Sequence, residues 1–208
     1  MKHRFTLLAA AVLLLVSVLQ PLRVTGQTRE EVVAYTLDGT VTGGTNSYAT
    51  ESEILQDGMT WMVMGNTTMN PWRIGGKNLT EIDRPIYSTG TIADNITKVV
   101  LTHGTASNIT VNSLTFIVSA NDDFSSPTST LSGDFAANEA VTFSRPEGDD
   151  WSNKHYKIVY NITVSGNSNR YLQFISAEFY KEEGGNNPNP TVATPTFTPA
   201  SGTYHETQ

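Results

Sequence analysis

From residue 30 onward, apolar side chains recur at every second position, and no stretch sustains a helical period. A strand turns successive side chains to opposite faces, so this pattern buries one face of a sheet and wets the other. The clearest case is residues 111–120, where Leu114, Phe116 and Val118 alternate with Ser113, Thr115 and Ile117. Residues 155–164 repeat the device, with Tyr156, Ile158, Tyr160, Ile162 and Val164 on one side and Lys157, Asn161 and Thr163 on the other. Residues 170–181 form a third long strand, with aromatics on both faces. Shorter strands are expected at 32–37, 60–64, 72–74, 86–88, 97–102 and 140–145. Asp38-Gly39, Asp57-Gly58, Gly75-Gly76, Ser132-Gly133 and Ser165-Gly166-Asn167 supply turns between them. Many short strands without helices indicate a sandwich or barrel rather than a parallel α/β sheet. The last two strands are long and consecutive, which favours an all-β, jelly-roll-like antiparallel β-sandwich over a ligand-holding barrel.

The N-terminus has a different grammar. Lys2 and Arg4 precede a run, residues 6–19, that is apolar apart from Thr6 and Ser17. Pro21 breaks it, and Val24-Thr25-Gly26 offers small residues for a signal peptidase. The run is shorter than the roughly 20 apolar residues a spanning helix needs. Residues 1–26 are therefore expected to be a cleaved signal peptide, leaving Gln27 first and the protein secreted, extracellular or on the cell surface, with no membrane segment. Lys2, Arg4 and Arg23 leave with the leader, so 10 basic residues face 20 acidic ones, a balance of −10. A polyanion would be repelled, and no basic stripe interleaved with aromatics is present, so nucleic acid is not an expected partner. There is no cysteine, which excludes disulfides, thiolate metal sites and thiol nucleophiles. A sandwich over residues 27–181 is long enough to sustain its core without them. Residues 182–192 are rich in Gly, Asn and Pro and read as a disordered linker. Residues 193–208 read as the truncated start of a second β module.

No pattern in the chain marks a catalytic centre or a cofactor. Trp61 alternates with Val63 and is expected in the core. Trp72, before Arg73, and Trp151, after Gly148-Asp149-Asp150, lie beside turn residues, where exposed rings can stack on a sugar face. Trp72, Arg73 and Trp151 are thus the expected ligand-binding residues, with Trp151 the most exposed. Asn121-Asp122-Asp123 and Asp149-Asp150 resemble oxygen-rich calcium loops but lack the ligand spacing, and read as solvated turns. His103, His155 and His205 are too far apart in sequence for a zinc pattern, and His103 before Gly104 reads as a turn histidine. Gly75-Gly76-Lys77 lacks the rest of a phosphate loop and reads as a hairpin turn. No G-x-S-x-G elbow occurs. A glycosidase would need two carboxylates about 5–9.5 Å apart, and no pair stands out among so many acids.

Two segments carry resemblances. "ATPTFTPASGTYHETQ", residues 193–208, resembles the opening strand and turn of the chitobiase/β-hexosaminidase C-terminal-type β-sandwich module, through Pro195, Phe197, Pro199, Gly202 and Tyr204. Residues 35–181 resemble β-sandwich domains at the N-terminus of secreted bacterial proteins. That likeness rests on "ATESEI", "NPWRIGGKN", "RPIYST", "ITKVVLTHGTASNITVNSLTFIVS" and "YLQFISAEFYK". The first resemblance implies an appendage of secreted glycoside hydrolases and surface proteins. The second implies similarity to carbohydrate-binding sandwiches, without a catalytic motif. A bacterial source leaves the five N-x-T sequons, at Asn66, Asn78, Asn95, Asn108 and Asn161, as Asn-rich turns before Thr-rich strands. The expected function is a secreted non-catalytic module whose partner is a glycan or another surface polymer. The alternative from another class is a structural spacer of a larger, truncated secreted or cell-surface protein, such as a glycoside hydrolase. An enzyme with an unmarked carboxylate pair is the third.

Overall fold

A computed structural model of the chain describes residues 30–77, 81–166 and 168–183. The expected leader, linker residues 184–192 and the expected second module at 193–208 lie outside the described residues. The described residues form eleven strands and no helix: β1 (Glu31–Asp38), β2 (Glu51–Gln56), β3 (Met59–Met64), β4 (Trp72–Gly75), β5 (Ile82–Ser88), β6 (Ile96–Ser107), β7 (Ile109–Ser119), β8 (Pro127–Gly133), β9 (Ala140–Ser144), β10 (His155–Val164) and β11 (Tyr171–Glu182).

Two antiparallel sheets face each other. One runs β1-β11-β6-β9, and the other β2-β3-β5-β10-β7-β8. Without the β2–β3 hairpin and β4, eight strands remain, β1-β11-β6-β9 facing β5-β10-β7-β8, which is the eight-stranded arrangement of a jelly roll. β4 is an addition. It pairs with the first part of β11, Tyr171 to Phe174, while β1 pairs with the remainder, Ser176 to Glu182. The two strands thus occupy one edge of β11 in succession. Gly39 joins them, donating its N–H to the Ile175 carbonyl at 2.7 Å and accepting from the Trp72 N–H at 2.8 Å.

The sequence pattern becomes packing most directly in β10, where buried and half-buried residues alternate without a fault. Tyr156, Ile158, Tyr160, Ile162 and Val164 all point into the core. In β11 the alternation changes phase, so Phe174 and Phe179, five residues apart, both face inward while Tyr171 and Tyr180 face outward. Leu172 and Phe174 face inward, then Ala177 and Phe179, and the pairing with β6 shifts register between Phe174 and Ser176. At the Asp57-Gly58 turn both residues have positive φ, 47° and 78°, as a two-residue hairpin between β2 and β3 requires. An aromatic chain bridges the sheets. Trp61 lies 6.1 Å from Tyr35 and 5.8 Å from Phe179, Phe179 lies 5.1 Å from Tyr156, and Tyr156 lies 6.0 Å from Phe116. Trp61 is wholly buried and donates its indole N–H to the Tyr35 hydroxyl at 2.8 Å, in line with its alternation with Val63.

Several local expectations are corrected. β2 and β8 were not visible as strands in the sequence pattern. Ser132-Gly133 belongs to β8 rather than to a turn. A Cβ at Gly133 would lie 2.7 Å from the Phe143 ring, so packing against β9 requires glycine there. β6 continues through His103-Gly104, and His103 is a core residue. Gly75-Gly76 does not close a hairpin, because β4 and β5 belong to opposite sheets.

Candidate functional site

The expectation that Trp72 and Trp151 present their rings to a ligand is corrected by their burial, which is complete for both. On β4, Trp72 and Ile74 point inward, and Trp72 stacks on Phe174 at 5.6 Å. Its indole N–H donates to the Val41 carbonyl at 2.8 Å. Trp151 follows a turn, yet its ring folds under the loop against Phe116, 5.7 Å away. Its N–H donates to Ser129 Oγ at 2.7 Å, and its carbonyl accepts the Tyr156 hydroxyl at 2.6 Å. Both indoles satisfy their one polar group internally, which lets them be buried whole. They do not form a site with each other or with Arg73.

Arg73 is the expected residue that does reach a surface hollow. Lying between two inward residues of β4, it points outward, and its guanidinium sits over the Tyr171 ring, 4.0 Å from the centroid. Around it the sequence is folded into a groove with two lobes. One lobe, of ≈ 350 Å³, is lined in part by Tyr48, Met64, Lys77, Ile82 and Arg84. The other, of ≈ 190 Å³, is lined in part by Tyr48, Arg73, Lys77, Arg170 and Tyr171. Tyr48, Gly76 and Lys77 border both.

Each wall is fixed by local bonding. Tyr48 belongs to the β1–β2 connection, which Thr67 ties down. The Thr67 hydroxyl donates to the Gly43 carbonyl at 2.6 Å, and its N–H donates to the Thr45 carbonyl at 3.0 Å. Ser52 Oγ accepts from the Thr45 N–H at 3.0 Å, and Ser47 Oγ accepts from the Ala49 N–H at 3.1 Å. The opposite wall depends on a close approach. A Cβ at Gly75 would sit 2.1 Å from the Arg170 carbonyl oxygen, so only glycine lets the Arg170 segment lie against β4. From there the Arg170 guanidinium donates to the Lys77 carbonyl. Arg84 occupies an inward position on β5, in step with Ile86. It reaches across to the other sheet, donating Nε–H to the Gly75 carbonyl at 2.6 Å.

The groove is electropositive on an acidic protein of net charge −7. Arg73, Lys77, Arg84 and Arg170 line it, and no carboxylate does so among the described residues. Arg84 is only 5% exposed, and burial pulls its guanidinium below its usual range. Burial likewise raises the Tyr48 phenol, against the opposing pull of the neighbouring Arg73 guanidinium. Nε of Arg73 and Nε of Arg170 are buried without a hydrogen-bond partner. Fixed cations beside two half-buried phenol rings can hold an anionic or polar ring-shaped ligand.

Sequence reasoning missed Tyr48, Lys77, Arg84, Arg170 and Tyr171. One signal was present: Arg84 stands in the alternation of β5 where an apolar residue is expected. The rest depends on β4 pairing with β11, which local pattern does not encode. The acidic doublets lie elsewhere. Asp123 and Asp150 each accept a backbone N–H and a hydroxyl, from Ser125 and from Ser152, at 2.6–2.9 Å. Those bonds hold both carboxyls below their usual range. Among the described residues, no three His, Asp or Glu side chains gather as a metal site, and no helix is long and apolar enough to cross a membrane.

No family model matches the chain. Comparison with curated proteins likewise yields no match.

Proposed function

We propose that the protein is a non-catalytic binding module for glycans or other surface polymers, and that the groove between Tyr48 and Tyr171 is its binding surface. The observation that carries this reading is the pairing of two half-buried tyrosines with an outward guanidinium, Arg73, on rigidly bonded walls. Phenol rings offer an apolar face and a hydroxyl, as ring stacking and hydrogen bonding to a sugar require. A ligand meeting walls already fixed by Thr67 and Gly75 loses little further freedom in binding. The likeness of residues 193–208 to modules carried by glycoside hydrolases agrees with this reading and is independent of the groove.

The test is isothermal titration calorimetry of the purified protein against a panel of polysaccharides and oligosaccharides. Tryptophan fluorescence is a poor reporter, because all three indoles are buried. Saturable binding to a glycan class is expected, with Tyr48→Ala weakening it at least tenfold, about 1.4 kcal/mol, while the far-UV spectrum is unchanged. Equal affinity in the folded variant would remove the groove from the reading, and absence of binding across the panel would remove the reading itself.

A further inference from the structure

Resting on the glycan-binding reading above, we propose that the groove selects an acidic saccharide, one bearing an isolated carboxylate or sulfate group, over its neutral counterpart. Burying a charge is unfavourable unless something opposite in charge compensates it. Arg84 is 5% exposed, and both of its hydrogen bonds go to neutral carbonyls, Gly75 at 2.6 Å and Asp83 at 3.2 Å. The Asp83 carboxylate turns away and accepts from the Asn161 amide at 2.8 Å. A buried guanidinium therefore projects positive charge into the larger lobe.

The second lobe points the same way. Arg73 and Arg170 each leave Nε without a hydrogen-bond partner. Because those Nε atoms are buried, an anion in this lobe would be met by the terminal N–H groups of the two guanidinium forks. Elsewhere on the protein, Lys98 pairs with Glu31, and Lys181 with Asp94 at 2.8 Å. In the groove, Arg84 and Lys77 line one lobe and Arg73, Arg170 and Lys77 the other, with no carboxylate among the described lining residues. Cations held together against their mutual repulsion favour an anion between them.

Scale limits the ligand further. The ≈ 350 Å³ lobe lies at the small end of ligand pockets, enough for a short saccharide. The surrounding net charge of −7 repels a densely charged polymer, so spaced single charges suit the groove better than a continuous polyanion.

The test is calorimetry on the full protein with oligouronates of several sugar types, the same oligomers with their carboxylates methyl-esterified, sulfated oligosaccharides of equal length, and acetate and sulfate alone. Esterification keeps the shape and removes the charge. Oligouronate or sulfated oligosaccharide is expected to bind at least tenfold more tightly than the esterified form, and whichever arm binds identifies the anionic group. The half-buried, outward-facing Arg73→Gln variant should reduce that preference without loss of the far-UV spectrum, and Arg84→Met should do so where it folds. Equal binding of acid and ester would overturn the charge selectivity and leave the glycan reading standing. Binding of acetate or sulfate as tightly as the saccharides would instead overturn the glycan reading. Failure of every saccharide to bind the folded protein would end both.

Discussion

His103 shows how much one side chain can carry in a core with few polar groups. Its ring is 1% exposed, and Nε2 lies 2.9 Å from the Tyr160 hydroxyl, while Nδ1 has no partner. Burial holds the imidazole neutral and lowers its pKa from 6.5 to about 4, an effect the Glu139 backbone only partly offsets. The unfolded chain takes up this proton near pH 6.5, and the folded one only near pH 4. Folding stability is therefore complete above pH 6.5 and falls as pH drops towards 4, by about 1.4 kcal/mol per pH unit for this group. Urea denaturation at pH 7.5 and pH 4.5 should show the loss. In His103→Gln the dependence across that window should be shallower by about one proton, and an unchanged slope would place the titration elsewhere. Tyr160 does not compete, because burial raises its hydroxyl well above its ordinary range.

The β2 strand illustrates what elements hide from sequence. Its inward residues are Ser52, Ile54 and Gln56, two of them polar, so it lacks the apolar face that marks a strand. It is inward-facing because those polar groups are matched by backbone. Gln56 Oε1 accepts the Asp38 N–H, and its amide donates to the Asp38 carbonyl, each at 2.8 Å. The side chain thus mimics a pairing strand at the end of β1. Gln56→Ala removes both bonds, leaving the Asp38 carbonyl only the longer 3.4 Å bond from the Val41 N–H, and is expected to reduce unfolding free energy by about 1–3 kcal/mol, with the urea slope unchanged. β10 was legible throughout because burial alone decides its pattern. β8 was not, because Ser129 and Gly133 serve specific neighbours, the Trp151 N–H and the Phe143 ring. The tryptophans failed as site markers for a related reason. A turn residue beside an indole says nothing about whether an internal acceptor, such as the Val41 carbonyl, waits for its N–H.

Over the whole molecule, the fold class followed from periodicity, whereas the groove followed from topology. Its walls come from residues 47–49, the end of β4, β5 and the start of β11. Only the pairing of β4 with β11 across nearly a hundred residues brings Arg73 to Tyr171. Trp61, Trp72 and Trp151 belong to one core drawn from both sheets. Thermal unfolding of the protein should therefore give a single transition, with the same midpoint by tryptophan fluorescence and by far-UV circular dichroism. Separate midpoints would mean that the two sheets part before the strands melt.

The antiparallel pairing of the first and last strands has a mechanical consequence. Glu31 lies opposite Glu182, and the Glu183 N–H donates to the Glu30 carbonyl at 2.8 Å. Residues 30 and 183 therefore leave the fold side by side, about 5 Å apart at neighbouring strands. Strung between other segments, the folded unit would hang from the chain like a bead on a short loop, adding almost no contour length. Tension across it would unzip β1 from β11 one bond at a time rather than shear the whole ladder at once. Such a fold yields at low force, which suits a unit that displays a groove better than one that bears a load.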